Sequence, residues 1–167
     1  PAVIAGDTPS TTAMPSSSIS RPRPPAPIPA TAPRSMLFVS GEKPERFPKA
    51  LAAGADLVCI DLEDAVHPDF KQAARRQVLE FARAHRGAPL AVRLNQLRGP
   101  EGLRDLLALA ESGAVLDWLL LPKVEHPDDL SLVHAVAGHA FHRLAPLIET
   151  PLGLDYEIAH FPDRKST

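Results

Sequence analysis

Three carboxylates stand within four positions at Asp61, Glu63 and Asp64, directly after the apolar run Leu57-Val58-Cys59-Ile60. Like charges this close repel unless a cation or a proton intervenes. The pattern recurs along the chain. Arg93 and Asn95 close the run that begins at Pro89, Lys123 and Glu125 follow "LDWLLLP", and Glu149 and Thr150 follow "LAPLI". Several carboxylates with few histidines suit a hard, oxygen-seeking cation such as Mg2+, which keeps several waters and takes one or two carboxylates. Arg93 adds a planar fork that fits a carboxylate or an enolate oxygen. A metal beside an arginine points to carbanion or enolate chemistry. Plainer readings stand beside these. Arg93 can close a salt bridge to Asp61 or Glu63, and Lys123 can pair with Glu125 rather than form a Schiff base. His134, His139 and His142 read as a solvated helix face. His67 and His126, each before a proline, read as caps or turn formers.

Positioning these residues requires apolar runs alternating with helical periodicity. Strands are expected at 36–40, 57–63, 89–95, 116–124 and 144–150. A short helix ends at Gly54, and a second carries Phe70, Ala74, Val78 and Phe81 at helical spacing. The third places Leu103, Leu106, Leu107 and Ala110 on one face, the fourth spans 126–140, and a fifth starts at Pro151. Strands that are apolar on both faces and alternate with helices imply a parallel sheet with right-handed crossovers. Two α/β architectures fit: a doubly wound open sheet, or part of a (β/α)8 barrel. The first strand is followed by "SGEKPERF", which lacks the glycine fingerprint of a dinucleotide fold, and the chain has no phosphate-loop motif. In a barrel, the polar strand ends would converge on one rim.

The bulk properties narrow the partners. The 167 residues carry a formal net charge of -2 with no long basic run, which gives no footprint for nucleic acid. No apolar stretch approaches the roughly 20 residues of a membrane helix. The single cysteine, Cys59, excludes an internal disulfide and reads as a small buried hydrophobe. Residues 1–33 are rich in proline, serine and threonine without hydrophobic period, so a disordered leader is expected there, with the folded domain over 34–167. "RPRPPAPIP" within it also fits a ligand for a proline-recognition module. The cytoplasm is the default compartment.

In order and spacing, "RSMLFVSGEKPERFPKALAAGADLVCIDLEDAV", "VRLN", "LLLPKVE" and "LIETPLG" resemble the citrate lyase beta subunit-like branch of the HpcH/HpaI aldolase superfamily. The resemblance implies a TIM (β/α)8 barrel, cut here to about five β/α units. It implies a Mg2+-dependent carbon–carbon lyase acting on a citryl-CoA- or malyl-CoA-like thioester through a metal-bound enolate, with either CoA or an acyl carrier protein as the thiol. Some relatives hydrolyse the thioester instead, and full-length relatives form homo-oligomers. By the same resemblance, Glu149 ligates the metal and meets the substrate, Glu63 and Asp64 hold metal-bound water, and Arg93 grips the oxo-acid oxygens. Arg34 corresponds to a position that meets CoA phosphates. A second metal ligand, an aspartate on the following strand, is expected beyond Thr167. Ser40 stands where many relatives have proline. Five strands of an eight-stranded barrel would leave open edges, which favours instability or pairing with another chain. Two further expectations are a non-catalytic remnant or interaction subunit, and an aldolase acting on free hydroxy-oxo acids.

Overall fold

The computed structural model describes residues 33–160. The expected leader therefore lies, but for Pro33, outside the described residues, as does the tail beyond His160. Prolines open the longer crossovers and glycines close them. Pro100, Pro127 and Pro151 each begin a helix, where a missing N–H costs nothing. Gly54 and Gly113, with φ of +81° and +69°, take the left-handed turns that lead back into strands. The elements are β1 (Met36–Ser40), α1 (Phe47–Leu51), β2 (Leu57–Asp61), α2 (Lys71–Ala84) and β3 (Leu90–Arg93). They continue with α3 (Pro100–Glu111), β4 (Leu116–Leu121), α4 (Pro127–Ala137), β5 (Phe141–Pro146) and α5 (Pro151–His160).

All four strand pairings are parallel, and the sheet runs in the order β1-β2-β3-β4-β5. Consecutive order decides between the two architectures. A doubly wound sheet reverses direction at a switch point, whereas a barrel adds each strand to the last. The described residues thus form an arc of five β/α units. Alternation along each strand separates two cores. Val58, Ile60, Leu90, Val92, Leu119 and Leu121 share one cluster with helix residues Ala74, Val78, Leu106, Leu109 and Val133. Leu57, Cys59, Ala91 and Leu120 form a smaller cluster on the opposite face, backed by Trp118 and Ala145. That second face is the inner wall of the arc.

Two sequence expectations need correction. β1 has its expected bounds, but β2, β3 and β4 are shorter than their apolar runs. β5 begins at Phe141 rather than Leu144 and ends at Pro146, so Leu147–Thr150 is loop. The strand residues Phe141–Arg143 were hidden because His142 and Arg143 interrupt the apolar pattern. The buried face of α3 is Gly102, Asp105, Leu106 and Leu109, while Leu103 and Leu107 are 46% and 54% exposed. Periodicity counts only apolar residues, and here a buried aspartate, paired with Arg75 and Asn95, occupies the inward stripe.

Candidate active site

The parallel register sets Asp61 beside Arg93 at the C-terminal ends of β2 and β3. Arg93 donates from Nε and Nη2 to the two oxygens of Asp61, at 2.7 and 2.6 Å. Backbone N–H groups of Glu63 and Ala65 also donate to that carboxylate, at 2.8 and 3.0 Å. Burial pushes Asp61 upward, but these bonds and the guanidinium charge outweigh it and hold the carboxyl below the usual range. The plain salt-bridge reading of Arg93 is therefore part of the site. Asp61 anchors the guanidinium and leaves Nη1 to face Glu63 Oε2 at 3.1 Å. The side chain is 14% exposed, and its guanidinium lies 5.4 Å from the centre of the Phe38 ring.

Glu63 is buried at the rim. Its Oε1 accepts from Lys123 Nζ at 2.7 Å, whereas Oε2 is sealed from solvent without a hydrogen bond. Burial raises this carboxyl above the usual range, and Lys123 and Arg93 pull against that without cancelling it. Asp64 is 69% exposed and approaches Arg93 at 3.8 Å and Lys123 at 3.7 Å. Lys123 does not pair with Glu125 through any observed bond; its ammonium turns to Glu63 and Asp64 instead. The bond to Glu63 raises its pKa and keeps it charged, the opposite of what a Schiff-base lysine requires. The backbone of Lys123 takes a φ of 53°, uncommon for a side-chain-bearing residue, and its N–H donates to Glu149 Oε1 at 3.2 Å. One residue thus joins the ends of β2 and β4 to the loop after β5.

The structure brings Glu63, Asp64, Arg93, Lys123 and Glu149 to one rim. Arg34 is not among them. It precedes β1, at the opposite ends of the strands, and pairs there with Asp56, Nε to Oδ2 at 3.3 Å. Among the described residues, no three His, Cys, Asp or Glu side chains converge as a metal cage. The donors present are nonetheless all oxygens, and exposed Glu149 has one oxygen free of observed protein bonds, which fits a Mg2+ that keeps most of its waters.

Sequence reasoning missed Lys71. This first residue of α2 donates from Nζ to the carbonyls of Leu62 and Glu63 and, at 2.6 Å, to Asn95 Oδ1. Asn95 donates in turn to Asp105, which Arg75 holds at 2.6 Å, and Arg75 also meets Glu101. A signal existed: a lysine in the first helical turn opposes the helix dipole and needs another reason to be there. Other readings held. His67 and His126 accept from the backbone N–H of Asp69 and Asp128 through Nδ1, as N-caps do. Cys59 is fully buried, and burial pushes its thiol up to about 12.

A family model described as HpcH/HpaI aldolase/citrate lyase matches residues 34–142. An L-malyl-CoA/beta-methylmalyl-CoA lyase from Rhodobacter capsulatus is 38% identical over 115 residues, which is 66% of this chain and 36% of the relative. A (3S)-malyl-CoA thioesterase from Cereibacter sphaeroides is 41% identical over 107 residues, 62% of this chain and 36% of that protein. Among solved structures, protein CitE from Mycobacterium tuberculosis in complex with magnesium and pyruvate aligns with a TM-score of 0.59 and 34% identity. That alignment covers 74% of this chain and 47% of CitE. The chain thus spans about a third of the length of these curated relatives and about half of the CitE chain. With a family model matched over most of its described residues, and the rim carboxylates and arginine in place, this chain belongs to the HpcH/HpaI aldolase/citrate lyase family.

Proposed function

We propose that the full-length protein is a Mg2+-dependent lyase that breaks the carbon–carbon bond of a malyl-CoA-like β-hydroxyacyl thioester. The observation that carries this reading is the anchored Arg93 beside Glu63, on the same rim as Glu149, in a chain 38% identical over its matched part to a malyl-CoA lyase. Similarity to proteins named for CoA thioesters favours CoA over an acyl carrier protein, and a CoA substrate accords with the cytoplasm.

Glu149 would hold the metal, with Glu63 and Asp64 bonding to its waters. When bound, the ion supplies positive charge against the oxyanion that develops as the bond breaks. Arg93 contributes a second fixed charge. Its bonds to Asp61 raise its already high pKa further, so it stays protonated and orients an oxo-acid carboxylate rather than moving a proton. Glu63 is held between Arg93 and Lys123, and burial keeps its carboxyl above the usual range against the pull of both cations.

The test is cleavage of malyl-CoA by the full-length protein with Mg2+, read as glyoxylate and acetyl-CoA. Glu149→Gln should lose more than the roughly 10–100-fold typical of an outer-sphere change. Full Mg2+-dependent activity in that variant would remove Glu149 from the metal site. Release of malate and free CoA in place of glyoxylate would favour the thioesterase reading that the second relative raises.

A further inference from the structure

We propose that Lys123 is a resident counter-cation, its ammonium standing in for the metal among the rim carboxylates and leaving when the metal enters. The inference rests on the Mg2+ reading above. The Lys123 ammonium bonds Glu63 Oε1 at 2.7 Å and lies 3.7 Å from Asp64 Oδ1. The same residue's backbone N–H holds Glu149 Oε1 at 3.2 Å. The groups assigned to the metal and its waters are thus gathered around one lysine.

Lys123 is built to let go, and Arg93 is not. Arg93 is 14% exposed and fixed by two parallel bonds to Asp61. Lys123 makes one charged hydrogen bond, to Glu63, through a flexible stem and is 35% exposed, so its own charge can swing into water while Glu63 keeps Arg93 Nη1 at 3.1 Å. Backbone and side chain divide the work. The left-handed turn at Lys123 keeps its N–H on Glu149 whether or not the side chain remains on Glu63. Departure of the ammonium frees Glu63 Oε1, while the second Glu63 oxygen has no hydrogen bond and keeps Arg93 Nη1 at 3.1 Å as its ion-pair partner. In the metal-free protein the lysine relieves repulsion among carboxylates; on metal entry that relief is redundant.

The experiment is calorimetric titration of Mg2+ into the full-length protein, wild type, Lys123→Met and Glu149→Gln, with melting curves in chelator and in Mg2+. Removing a competing charge of this proximity should tighten Mg2+ binding in Lys123→Met by about tenfold or more. The variant should melt below wild type in chelator and recover disproportionately with Mg2+, because a ligand that binds only the native state stabilises it by mass action. Lys123→Gln, which keeps a polar stem, should shift affinity in the same direction. Unchanged or weaker binding in both variants, with wild type binding and Glu149→Gln not, would overturn the inference and leave the metal reading intact. No binding by any variant would overturn both, and binding by Lys123→Met alone would support the inference in its strongest form.

Discussion

Charge at the rim is organised around pairs that differ in how firmly they are tied. Asp61 accepts four bonds and holds Arg93 rigidly, so its loss should be felt in stability before chemistry. Asp61→Asn leaves a largely buried guanidinium short of an acceptor, and about 3–5 kcal/mol of stability at neutral pH should go with it. The pH dependence has a definite sign. The Asp61 carboxyl is depressed in the folded protein, so its contribution is complete above the ordinary aspartate range. It is lost as pH falls through that range toward the folded value. Urea unfolding at pH 7 and near pH 3 should therefore show a smaller acid loss in the variant than in wild type; parallel losses would mean that Asp61 does not set the acid limb. Which residues carry charge here was legible, because each apolar run ends abruptly in it. Which partner each one chooses was not. Lys123 turns to Glu63, 60 positions away, because the strand ends share a rim, and no local spacing carries that information.

Helices in this fold are seated by backbone contact as much as by side chains. A Cβ at Gly102 would stand 2.1 Å from the Gln96 carbonyl oxygen and 2.7 Å from the Leu97 Cα, so α3 can lie this close to the loop after β3 only without a side chain. Gly102→Ala gains up to about 1 kcal/mol of helix propensity. The clash should exceed that gain and leave a net loss of about 1–3 kcal/mol. A lower urea midpoint at unchanged slope would verify it, and a raised midpoint would show that α3 can shift without cost. The loop at stake carries Asn95, so the same substitution disturbs the Lys71 relay that ties α2 to the carbonyls beside Glu63. Strand and helix existence followed from period and punctuation. The orientation of α3 did not, because its inward stripe includes an aspartate made tolerable by partners distant in sequence, Arg75 on α2 and Asn95 in the loop after β3.

Strand order is the property of the whole molecule that the pattern of elements left undecided. Both candidate architectures alternate strands and helices, and they differ only in whether a later strand crosses back over the first. The consecutive sheet resolves this, and with it the reason the polar ends meet: each crossover returns the chain to the same side, one strand further along. Among the described residues, no helix is long and apolar enough to cross a membrane. The arc's inner wall is less complete than its outer one, with Met36 and Phe38 partly open to solvent while Leu57, Cys59, Ala91 and Leu120 are closed. At the middle of that closed patch sits the chain's single sulfhydryl, on a strand with neighbours on both sides. No thiol reagent can reach it until the sheet parts. Alkylation of Cys59 is thus a built-in clock for opening of the sheet. Under slow-reagent conditions its rate should track the opening equilibrium, falling roughly tenfold for each 1.4 kcal/mol by which a ligand at the rim steadies the fold. Labelling at the rate of a free thiol under native conditions would show instead that the inner wall breathes independently of the strands that frame it.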